Sequence, residues 1–288
     1  MDMNTLRGKK CFLTGAASGI GRATALAAAR AGAELFLTDV QEERLDATVA
    51  EIRAEGGKVS AHRALDISDF EAVRGFADAI HASAGSMDLV MNVAGISIWG
   101  SVESLEHRHW RRVVDVNLMG PIHVIECFVP PMIRAKRGGH LVNVSSAAGL
   151  FGLPWHAAYS ASKFGLRGVS EVLRFDLERH GIGVSLVCPG AVNTPLTETV
   201  QILGINLETP RAKKFRAGFR KHAVTAEAAA EAILRGILAN EYLVFTSQDI
   251  RVGHWFQQRF GFLYELAMRR MNDQLERVAQ APRPVAHA

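Results

Sequence analysis

The segment that most restricts the fold covers residues 12–39 and reads FLTGAASGIGRATALAAARAGAELFLTD. Its first apolar run is followed at once by three glycines, Gly15, Gly19 and Gly21. An alanine-rich helical segment comes next, and a second apolar run ends at Asp39. Glycines between a strand and a helix let the backbone turn tightly and approach an anion, which the free N–H groups of the helix N-terminus attract. The segment predicts a strand, a ligand-binding turn, a helix and a second strand, with a ligand-free turn as the alternative.

The acid at the end of the second strand indicates which dinucleotide would bind. Asp39 lies eighteen residues after Gly21. A carboxylate at this place accepts hydrogen bonds from a ribose diol and repels a 2′-phosphate. The surrounding LTDVQ has no Lys or Arg, and the turn has no basic residue before Gly19. We therefore predict NAD as the cofactor, with NADP less favoured.

Short apolar runs alternate with helical segments along most of the chain. Helical periodicity covers residues 21–31, 41–55 and 69–84. Such alternation indicates βαβ units, whose right-handed crossovers place helices on both faces of a parallel sheet. We predict an α/β fold with a Rossmann-type doubly wound sheet of about seven parallel strands, plus a C-terminal helical extension. The predicted strands cover residues 10–14, 34–39, 58–65, 88–92, 140–145, 183–188 and 242–245.

A polar pair in YSASKFGLRG has the chemistry of proton transfer. Tyr159 and Lys163 are four residues apart, so on a helix they share one face. Reduction of a ketone by hydride needs a proton donor for the developing alkoxide, and the reverse reaction needs a base. A phenol of pKa ~10 requires about 4 kcal/mol of preferential phenolate stabilisation to titrate near ~7, and a neighbouring Lys⁺ supplies part of it. Taken alone, the pair is equally compatible with two ordinary helix residues.

Together these motifs resemble the short-chain dehydrogenase/reductase family, in its single-domain branch. The glycine spacing is G-x-x-x-G-x-G and not the G-x-G-x-x-G of the commonest Rossmann dehydrogenases. The resemblance covers about residues 7–246, and each motif falls at a predicted strand end or helix start. The matching pieces are TGAASGIG (14–21), LD (65–66), NVAG (92–95), VNLMG around Asn117, NVSSAAG (143–149), YSASK (159–163) and CPGAVNTP (188–195).

The resemblance implies four catalytic residues: Asn117, Ser146, Tyr159 and Lys163. Ser146 is chosen over Ser145 because the family places its serine thirteen residues before the tyrosine. Tyr159 would be the general acid/base, Ser146 would donate to the same substrate oxygen, and Asn117 would act through a water near Lys163. Each residue also has a structural alternative, such as a helix cap for a serine or a buried, satisfied amide for Asn117.

The resemblance also implies a cofactor site built from strand ends. The glycine turn would line the pyrophosphate, Asp39 would bind the adenosine ribose, and Asp66 and Ile67 would flank the adenine. The loop after residue 188 would hold the nicotinamide. The predicted cofactor-binding residues are Thr14, Gly15, Ser18, Gly19, Ile20, Gly21, Asp39, Asp66, Ile67, Asn92, Ala94, Gly95, Tyr159, Lys163, Pro189, Gly190, Val192 and Thr194.

Apolar residues in the segments 95–105 and 149–159 predict a roomy hydrophobic substrate pocket. Such a pocket suits a lipid, steroid, terpenoid or aromatic alcohol. Packing beneath loops is the alternative for several of these residues, and a partly buried structural role is an equal alternative for His156. The predicted pocket residues are Ile96, Ile98, Leu153, Trp155 and His156.

We predict a single Rossmann-fold domain over residues 1–250, with a variable substrate lid at 195–225. The lid contains RAKKFRAGFRKH (211–222), which has six Lys and Arg and no acid. It is either a solvated face or a basic amphipathic helix that touches anionic lipid. Residues 251–280 form the C-terminal extension, and 281–288 are predicted to be disordered. Apolar residues at helical spacing in 255–278 would pack on the body, contact another subunit or lie on a membrane.

Charge and composition exclude several classes of protein. The net charge of +4 arises in the last quarter, where residues 211–288 hold 13 Lys and Arg against 7 Asp and Glu. We therefore predict no nucleic-acid partner. No uncharged apolar stretch reaches the ~18 residues of a membrane span. His107 and His109 would point to different faces of a helix, so no metal site is predicted.

Three distant cysteines fit a reducing compartment. We expect a cytoplasmic protein, with peripheral membrane contact through 211–222 or 255–278 as an option. The resemblance implies a homo-oligomer, either a tetramer or a dimer.

The functional prediction is an NAD-dependent oxidoreductase that interconverts a small hydrophobic secondary alcohol and its ketone. An NADPH-dependent 3-oxoacyl thioester reductase is one alternative, and Asp39 and the apolar pocket argue against it. A non-catalytic dinucleotide-binding sensor is another, and the intact catalytic set argues against that.

Overall fold

The computed structural model describes residues 6–196, 200–221 and 223–279. Seven strands form the central sheet and four short strands form two small pairs. The central strands are β1 (Lys10–Thr14), β2 (Glu34–Asp39), β3 (Lys58–Ala64), β4 (Leu89–Asn92), β6 (Gly139–Val144), β7 (Ile182–Cys188) and β11 (Leu243–Phe245). The short strands are β5 (Ile98–Gly100), β8 (Val192–Asn193), β9 (Gln201–Leu203) and β10 (Val224–Thr225).

Helices connect the strands and cover the sheet. They are α1 (Gly19–Arg30), α2 (Glu42–Ala54), α3 (Phe70–Ala84), α4 (His107–Val114), α5 (Gly120–Ala135), α6 (Ala157–Asp176), α7 (Pro210–Lys221), α8 (Ala226–Leu238), α9 (Gln248–Arg259) and α10 (Gly261–Ala279). A π-helical turn, Asp115–Met119, joins α4 to α5. By length and composition alone, His107–Ala135 is apolar enough to cross a membrane. In this fold its residues Val113, Val124 and Phe128 are fully buried in the protein core.

The central strands pair in parallel in the order β3-β2-β1-β4-β6-β7-β11. The predicted doubly wound sheet of seven parallel strands is confirmed, and each predicted strand end lies within one residue of the observed one. The chain order reverses between β1 and β4. In sheets of this kind a ligand binds at the carboxyl ends of the strands beside that reversal.

Two hydrophobic layers fix the strands, because alternate side chains of a strand point to opposite faces. On β1, Cys11 and Leu13 pack in the layer that includes Ala25 of α1. Phe12 faces the other layer, where its ring stacks on Phe128 of α5 with centroids 4.1 Å apart. This double burial aligns the carboxyl ends of the strands, from which the site is built.

Short strand pairs tie down the segment predicted to be a lid. β9 pairs with β5, and β10 pairs with β8. The basic stretch 211–222 is helical in α7, while the side chains of Phe215 and Phe219 lie outside the described residues. The lid is therefore attached to the body near both of its ends.

The C-terminal extension contains two helices, whereas the apolar spacing in 255–278 predicts one continuous helix. The backbone leaves the helical region at Phe260, with φ −131° and ψ 65°, so α9 ends and α10 begins there. The tail 281–288, predicted to be disordered, lies outside the described residues.

Packing on the body is the predicted alternative that fits this extension. Leu275 of α10 is buried in a cluster with Trp155. The hydroxyl oxygen of Tyr264 accepts a hydrogen bond from the Gly152 N–H at 2.8 Å. Apolar and polar contacts thus hold α10 against the loop that precedes α6.

Candidate active site

The glycine-rich turn between β1 and α1 has room only for glycine at two positions. A Cβ on Gly21 would lie 1.9 Å from the carbonyl oxygen of Gly15. Gly15 has φ +77°, and its Cβ would lie 2.8 Å from the main chain of Ala94. The N-cap residue of α1, Ser18, makes no side-chain cap hydrogen bond, and the first turn contains no acid. The first N–H groups of α1, starting at Gly19, therefore suit the pyrophosphate of a dinucleotide.

Asp39 is buried at the end of β2 and faces this turn. Its Oδ2 accepts a hydrogen bond from the Ala17 N–H at 3.0 Å, and its Oδ1 accepts one from the Gln41 N–H at 3.0 Å. Each carboxylate oxygen retains acceptor capacity for a further donor. Asp39 can therefore meet a ribose diol while it also holds the glycine turn, a structural role not predicted from the sequence.

Thr14 and Asn92 connect neighbouring strand ends. Thr14 Oγ1 accepts hydrogen bonds from the N–H groups of Val93 and Ala94, both at 3.1 Å. Asn92 Nδ2 donates to Asn143 Oδ1 across β4 and β6 at 2.9 Å. Asn92 Oδ1 is a buried acceptor without a partner among the described residues. The orphaned oxygen is compatible with a ligand at these strand ends.

Asp66 and Ile67 follow β3, where the adenine is predicted to bind. Asp66 Oδ1 accepts from the N–H and hydroxyl of Ser68 at 2.9 and 2.7 Å, and Oδ2 pairs with Arg112 at 3.0 Å. Burial raises the pKa of Asp66, but these donors outweigh burial and hold the pKa below its ordinary value. Ile67 packs against Gly120, where an added Cβ would lie 2.6 Å from Ile67 Cδ1. Any contact between Ile67 and an adenine would therefore use its main chain.

Asn117 lies in the π-helical turn and is fully buried. Its Nδ2 donates to the Ile96 carbonyl at 2.9 Å, and its Oδ1 accepts from the Ile96 N–H at 2.8 Å. A Cβ on Gly95 would lie 3.2 Å from Asn117 Oδ1 and 3.5 Å from Lys163 Nζ. The amide thus fixes the loop after β4 at the point where Lys163 approaches it.

Ser146 and Tyr159 meet where β6 ends and α6 begins. Ser146 Oγ accepts from the Ala148 N–H at 3.1 Å, and its hydroxyl is hydrogen-bonded to the Tyr159 hydroxyl. Ser145 Oγ instead donates to the Lys163 carbonyl oxygen at 3.0 Å. The structure therefore places Ser146, and not Ser145, beside the phenol.

Burial is the main influence on the pKa of Tyr159. Burial raises this pKa above its ordinary value, and the hydrogen bond from Ser146 only partly offsets burial. Lys163 Nζ lies 5.8 Å from the centroid of the phenol ring and donates to the Val144 carbonyl at 2.9 Å. Burial lowers the pKa of Lys163 to about 8, against an opposing influence of Cys188. The lysine charge alone does not bring the phenol toward neutral titration.

The loop after β7 closes the opposite side of the site. A Cβ on Gly19 would lie 3.1 Å from the Thr194 side chain, so this loop touches the glycine turn. The Pro189 carbonyl accepts from the Ala147 N–H at 2.7 Å, so its start is attached to the segment of Ser146. The loop bridges the two halves of the predicted site.

A cavity of about 760 Å³ joins these elements. Ile20 from the glycine turn and Ser146, Tyr159 and Lys163 all line it. Gly190, Val192 and Thr194 from the loop after β7 also line it. Three of the four predicted catalytic residues and the glycine turn therefore open into one space, whereas Asn117 does not line it.

Three of the five predicted pocket residues line this cavity, namely Ile96, Leu153 and His156. The other two, Ile98 and Trp155, do not. Ser97, just before β5, and Trp99 line the cavity, whereas Ile98 between them packs on the other side. Trp155 packs instead in the cluster with Leu275.

The C-terminal extension forms one wall of the cavity, which was not predicted from the sequence. The apolar spacing in 255–278 was the available signal, but spacing identifies an apolar face without saying what covers it. The extension residues that line the cavity are Gly253, Phe256, Gln257, Leu263, Tyr264, Ala267 and Met268, and Asp249 and Ile250 at the start of α9 line it too.

Comparison with known proteins agrees with this fold. A family model described as short chain dehydrogenase matches residues 9–202. The putative oxidoreductase SadH of Mycobacterium tuberculosis is 34% identical over 265 residues, which cover 91% of this chain and 95% of SadH. The 3-oxoacyl-[acyl-carrier-protein] reductase FabG of Thermotoga maritima is 37% identical over 193 residues, 67% of this chain and 78% of FabG. A short chain dehydrogenase/reductase from Burkholderia phymatum, solved in complex with NAD, superposes with a TM-score of 0.76 at 29% identity, covering 98% of this chain and 99% of that one.

Proposed function

Because the chain belongs to the short-chain dehydrogenase/reductase family of oxidoreductases, we propose that it interconverts a hydrophobic secondary alcohol and its ketone with NAD. The observation that carries the proposal is the convergence of Ser146, Tyr159 and Lys163 on a cavity that also reaches the glycine turn. Most of the remaining cavity wall is apolar, which favours a hydrophobic substrate.

The nicotinamide ring, when bound, would accept the hydride from the carbinol carbon or return it to the ketone. Tyr159 is placed to take the alcohol proton or to give a proton to the ketone oxygen. Ser146 is placed to hydrogen-bond the same oxygen as its charge develops. Burial raises the pKa of Tyr159, so removal of its proton requires nearby positive charge, and protonated Lys163 supplies part of it. Asn117 keeps the adjoining loop in position through Ile96.

NAD is proposed over NADP because of Asp39. The buried carboxylate faces the glycine turn through its bond to the Ala17 N–H, and it would repel a 2′-phosphate on the adenosine ribose. Titration of the purified protein with NADH and NADPH, followed by fluorescence, tests this choice. The wild type should bind NADH at least tenfold more tightly.

Asp39→Asn should reduce the difference in affinity between NADH and NADPH, because it removes the charge but keeps one acceptor oxygen for the turn. Asp46→Asn is the matched control, since Asp46 is an exposed acid on α2. Equal affinity of the wild type for the two cofactors would overturn the NAD assignment. Tighter NADPH binding would instead favour the 3-oxoacyl thioester reductase.

Turnover of secondary alcohols, followed by NADH absorbance over a panel of hydrophobic compounds, tests the enzymatic proposal. Tyr159→Phe should lower kcat by about 10²–10⁴-fold or more and change NADH affinity little. Tyr242→Phe is the control, because Tyr242 lies outside the cavity. Turnover that survives Tyr159→Phe would contradict the acid/base assignment. Tight dinucleotide binding without any turnover would favour the sensor.

For the assembly, we infer a homo-oligomer, either a dimer or a tetramer, formed through α6. One face of this helix exposes Phe164, Val172 and Phe175, which are 38%, 59% and 60% accessible. A second copy of the chain would bury this face, and burial of apolar area favours association. Light scattering on a sizing column should show more than one chain, and Phe175→Arg should reduce the mass. A monomeric wild type would refute the inference.

For location, we propose the cytoplasm with peripheral lipid contact through α9. Trp255, Phe256 and Phe260 form one aromatic cluster, with centroids 5.2 to 6.0 Å apart, and each is nearly half exposed. Arg251 and Arg259 are the only charged residues in 250–264, so the cluster complements an anionic surface. Co-sedimentation with phosphatidylserine-containing vesicles should exceed that with phosphatidylcholine alone and should fall in Trp255→Ser. If the same fraction of the protein sediments with vesicles as in their absence, lipid contact is excluded.

A further inference from the structure

His156 is a polar side chain of the cavity that the proposed chemistry leaves unused. It is only 7% exposed and lines the cavity next to Tyr159. Its ring lies against Trp99, with centroids 4.2 Å apart, and edge-on to the Tyr159 ring at 6.4 Å. These two contacts fix the position of the imidazole relative to the reacting phenol.

The hydrogen bond of His156 determines which ring nitrogen is free to accept. Nδ1 lies 2.6 Å from the carbonyl oxygen of Pro154, and since a carbonyl only accepts, Nδ1 carries the proton. Burial lowers the pKa of His156 to about 4, although the bond to Pro154 acts in the other direction. The ring is therefore neutral near pH 7, and Nε2 is a bare acceptor. Among the described residues, none donates a hydrogen bond to Nε2.

We propose that His156 Nε2 accepts a hydrogen bond from a second hydroxyl of the substrate, so that the enzyme prefers hydrophobic diols over the matching mono-alcohols. This inference rests on the proposed function, because it concerns the substrate oxidised at Tyr159. A substrate without that hydroxyl leaves a buried acceptor unpaired, and sites built to bond a hydroxyl discriminate strongly against analogues that lack it.

The geometry also restricts the place of the second hydroxyl. The carbinol oxygen binds at Tyr159 and Ser146, while the second hydroxyl binds at the neighbouring ring of His156. The centroids of the two rings are 6.4 Å apart, so we expect a short carbon spacer between the two oxygens. The rest of the substrate then extends into the apolar part of the cavity, toward Leu153 and Phe256.

Matched pairs of alcohols test this preference. The probes are 1-phenylethane-1,2-diol against 1-phenylethanol, and 1-phenylpropane-1,3-diol against 1-phenylpropan-1-ol, each with NAD at neutral pH. In the wild type, kcat/KM for at least one diol should exceed that of its mono-alcohol by about tenfold or more, as expected for one buried hydrogen bond. The higher kcat/KM of the diol should result mainly from a lower KM.

Two variants separate hydrogen bonding from packing. His156→Phe keeps a ring against Trp99 and Tyr159 but has no acceptor, so the ratio of kcat/KM for the diol to kcat/KM for its mono-alcohol should fall about tenfold. His156→Gln restores an acceptor and should recover part of the preference. An equal loss for both alcohols in His156→Phe would show a purely structural role and overturn the inference.

The outcomes also distinguish this inference from the proposed function. Oxidation of mono-alcohols and diols at equal efficiency by the wild type would overturn the second-hydroxyl site and leave the dehydrogenase assignment standing. Failure of all four alcohols, together with failure of the corresponding ketones and NADH, would overturn both.

Discussion

Replacement of Lys163 by Met should make the protein more stable at neutral pH while it removes activity. Lys163 is buried, and burial lowers its pKa from 10.5 to about 8. At 1.36 kcal/mol per pH unit, the charged side chain therefore opposes folding by about 3 kcal/mol. The Met variant also loses the hydrogen bond from Nζ to the Val144 carbonyl, which lowers the stability by about 1 kcal/mol. The variant should then be about 2 kcal/mol more stable than the wild type at pH 7.

The pH dependence separates the charge from the packing. Below pH 8 the lysine is protonated in the folded and the unfolded chain, so the full destabilisation of about 3 kcal/mol is present. Between about pH 8 and 10.5 the folded chain has released a proton that the unfolded chain still holds, so the wild type gains stability as the pH rises. By pH 10 most of the cost, about 2 kcal/mol or more, should have disappeared.

Urea unfolding followed by tryptophan fluorescence, without cofactor, at several values between pH 7 and pH 10 measures this change. Lys9→Met is the matched control, because Lys9 is exposed, and it should track the wild type throughout. A stability difference between Lys163→Met and the wild type that is the same at pH 7 and pH 10 would refute the reasoning.

Three further predictions concern the turn, the extension and acid stability. Gly21→Ala places a methyl group 1.9 Å from a carbonyl oxygen across the turn, so NADH binding should weaken at least tenfold, whereas Gly75→Ala in open space on α3 should leave it unchanged. Tyr264→Phe removes the acceptor of the Gly152 N–H, so KM for hydrophobic alcohols should rise several-fold with a smaller change in kcat, and an unchanged KM would count against an anchoring role. Burial lowers the pKa of His140 from 6.5 to about 4, so the unfolded chain takes up its proton first and the free energy of unfolding falls as the pH drops below about 6.5. In urea titrations, His140→Gln should lose about 2 kcal/mol less stability than the wild type between pH 7 and pH 5. An equal loss of stability in both proteins would contradict this prediction.

The central sheet was predictable because its signals are local. In β1 the run ends in a polar residue at the glycine turn, and successive residues such as Phe12 and Leu13 are buried on opposite faces. Repeated strand and helix periods then leave few topologies under the right-handed crossover rule. The position of the glycine turn followed from the same pattern, and the clash at Gly21 gives the physical reason why glycine is required.

Other properties of the site depend on tertiary surroundings and could not be predicted. The spacing of Tyr159 and Lys163 places them on one helical face, but the pKa of the phenol depends on burial. The sequence also did not indicate which way Ile98 would point, because the pairing of β5 with β9 joins segments about a hundred residues apart. The same holds for the double use of Asp39, whose partners come from the turn and from the chain after β2.

The extension contacts the loop before α6 and also lines the cavity. Tyr264 binds the Gly152 N–H, and Gln257 Nε2 donates to the Leu150 carbonyl at 3.1 Å. The Gly152 N–H and the Leu150 carbonyl both lie in the loop that carries Leu153 and His156 into α6. The helices α9 and α10 therefore position these cavity-lining side chains and also form the opposite wall. Changes in these two helices can therefore reshape the cavity while the arrangement at Tyr159 is retained, which is how a common fold accommodates different substrates.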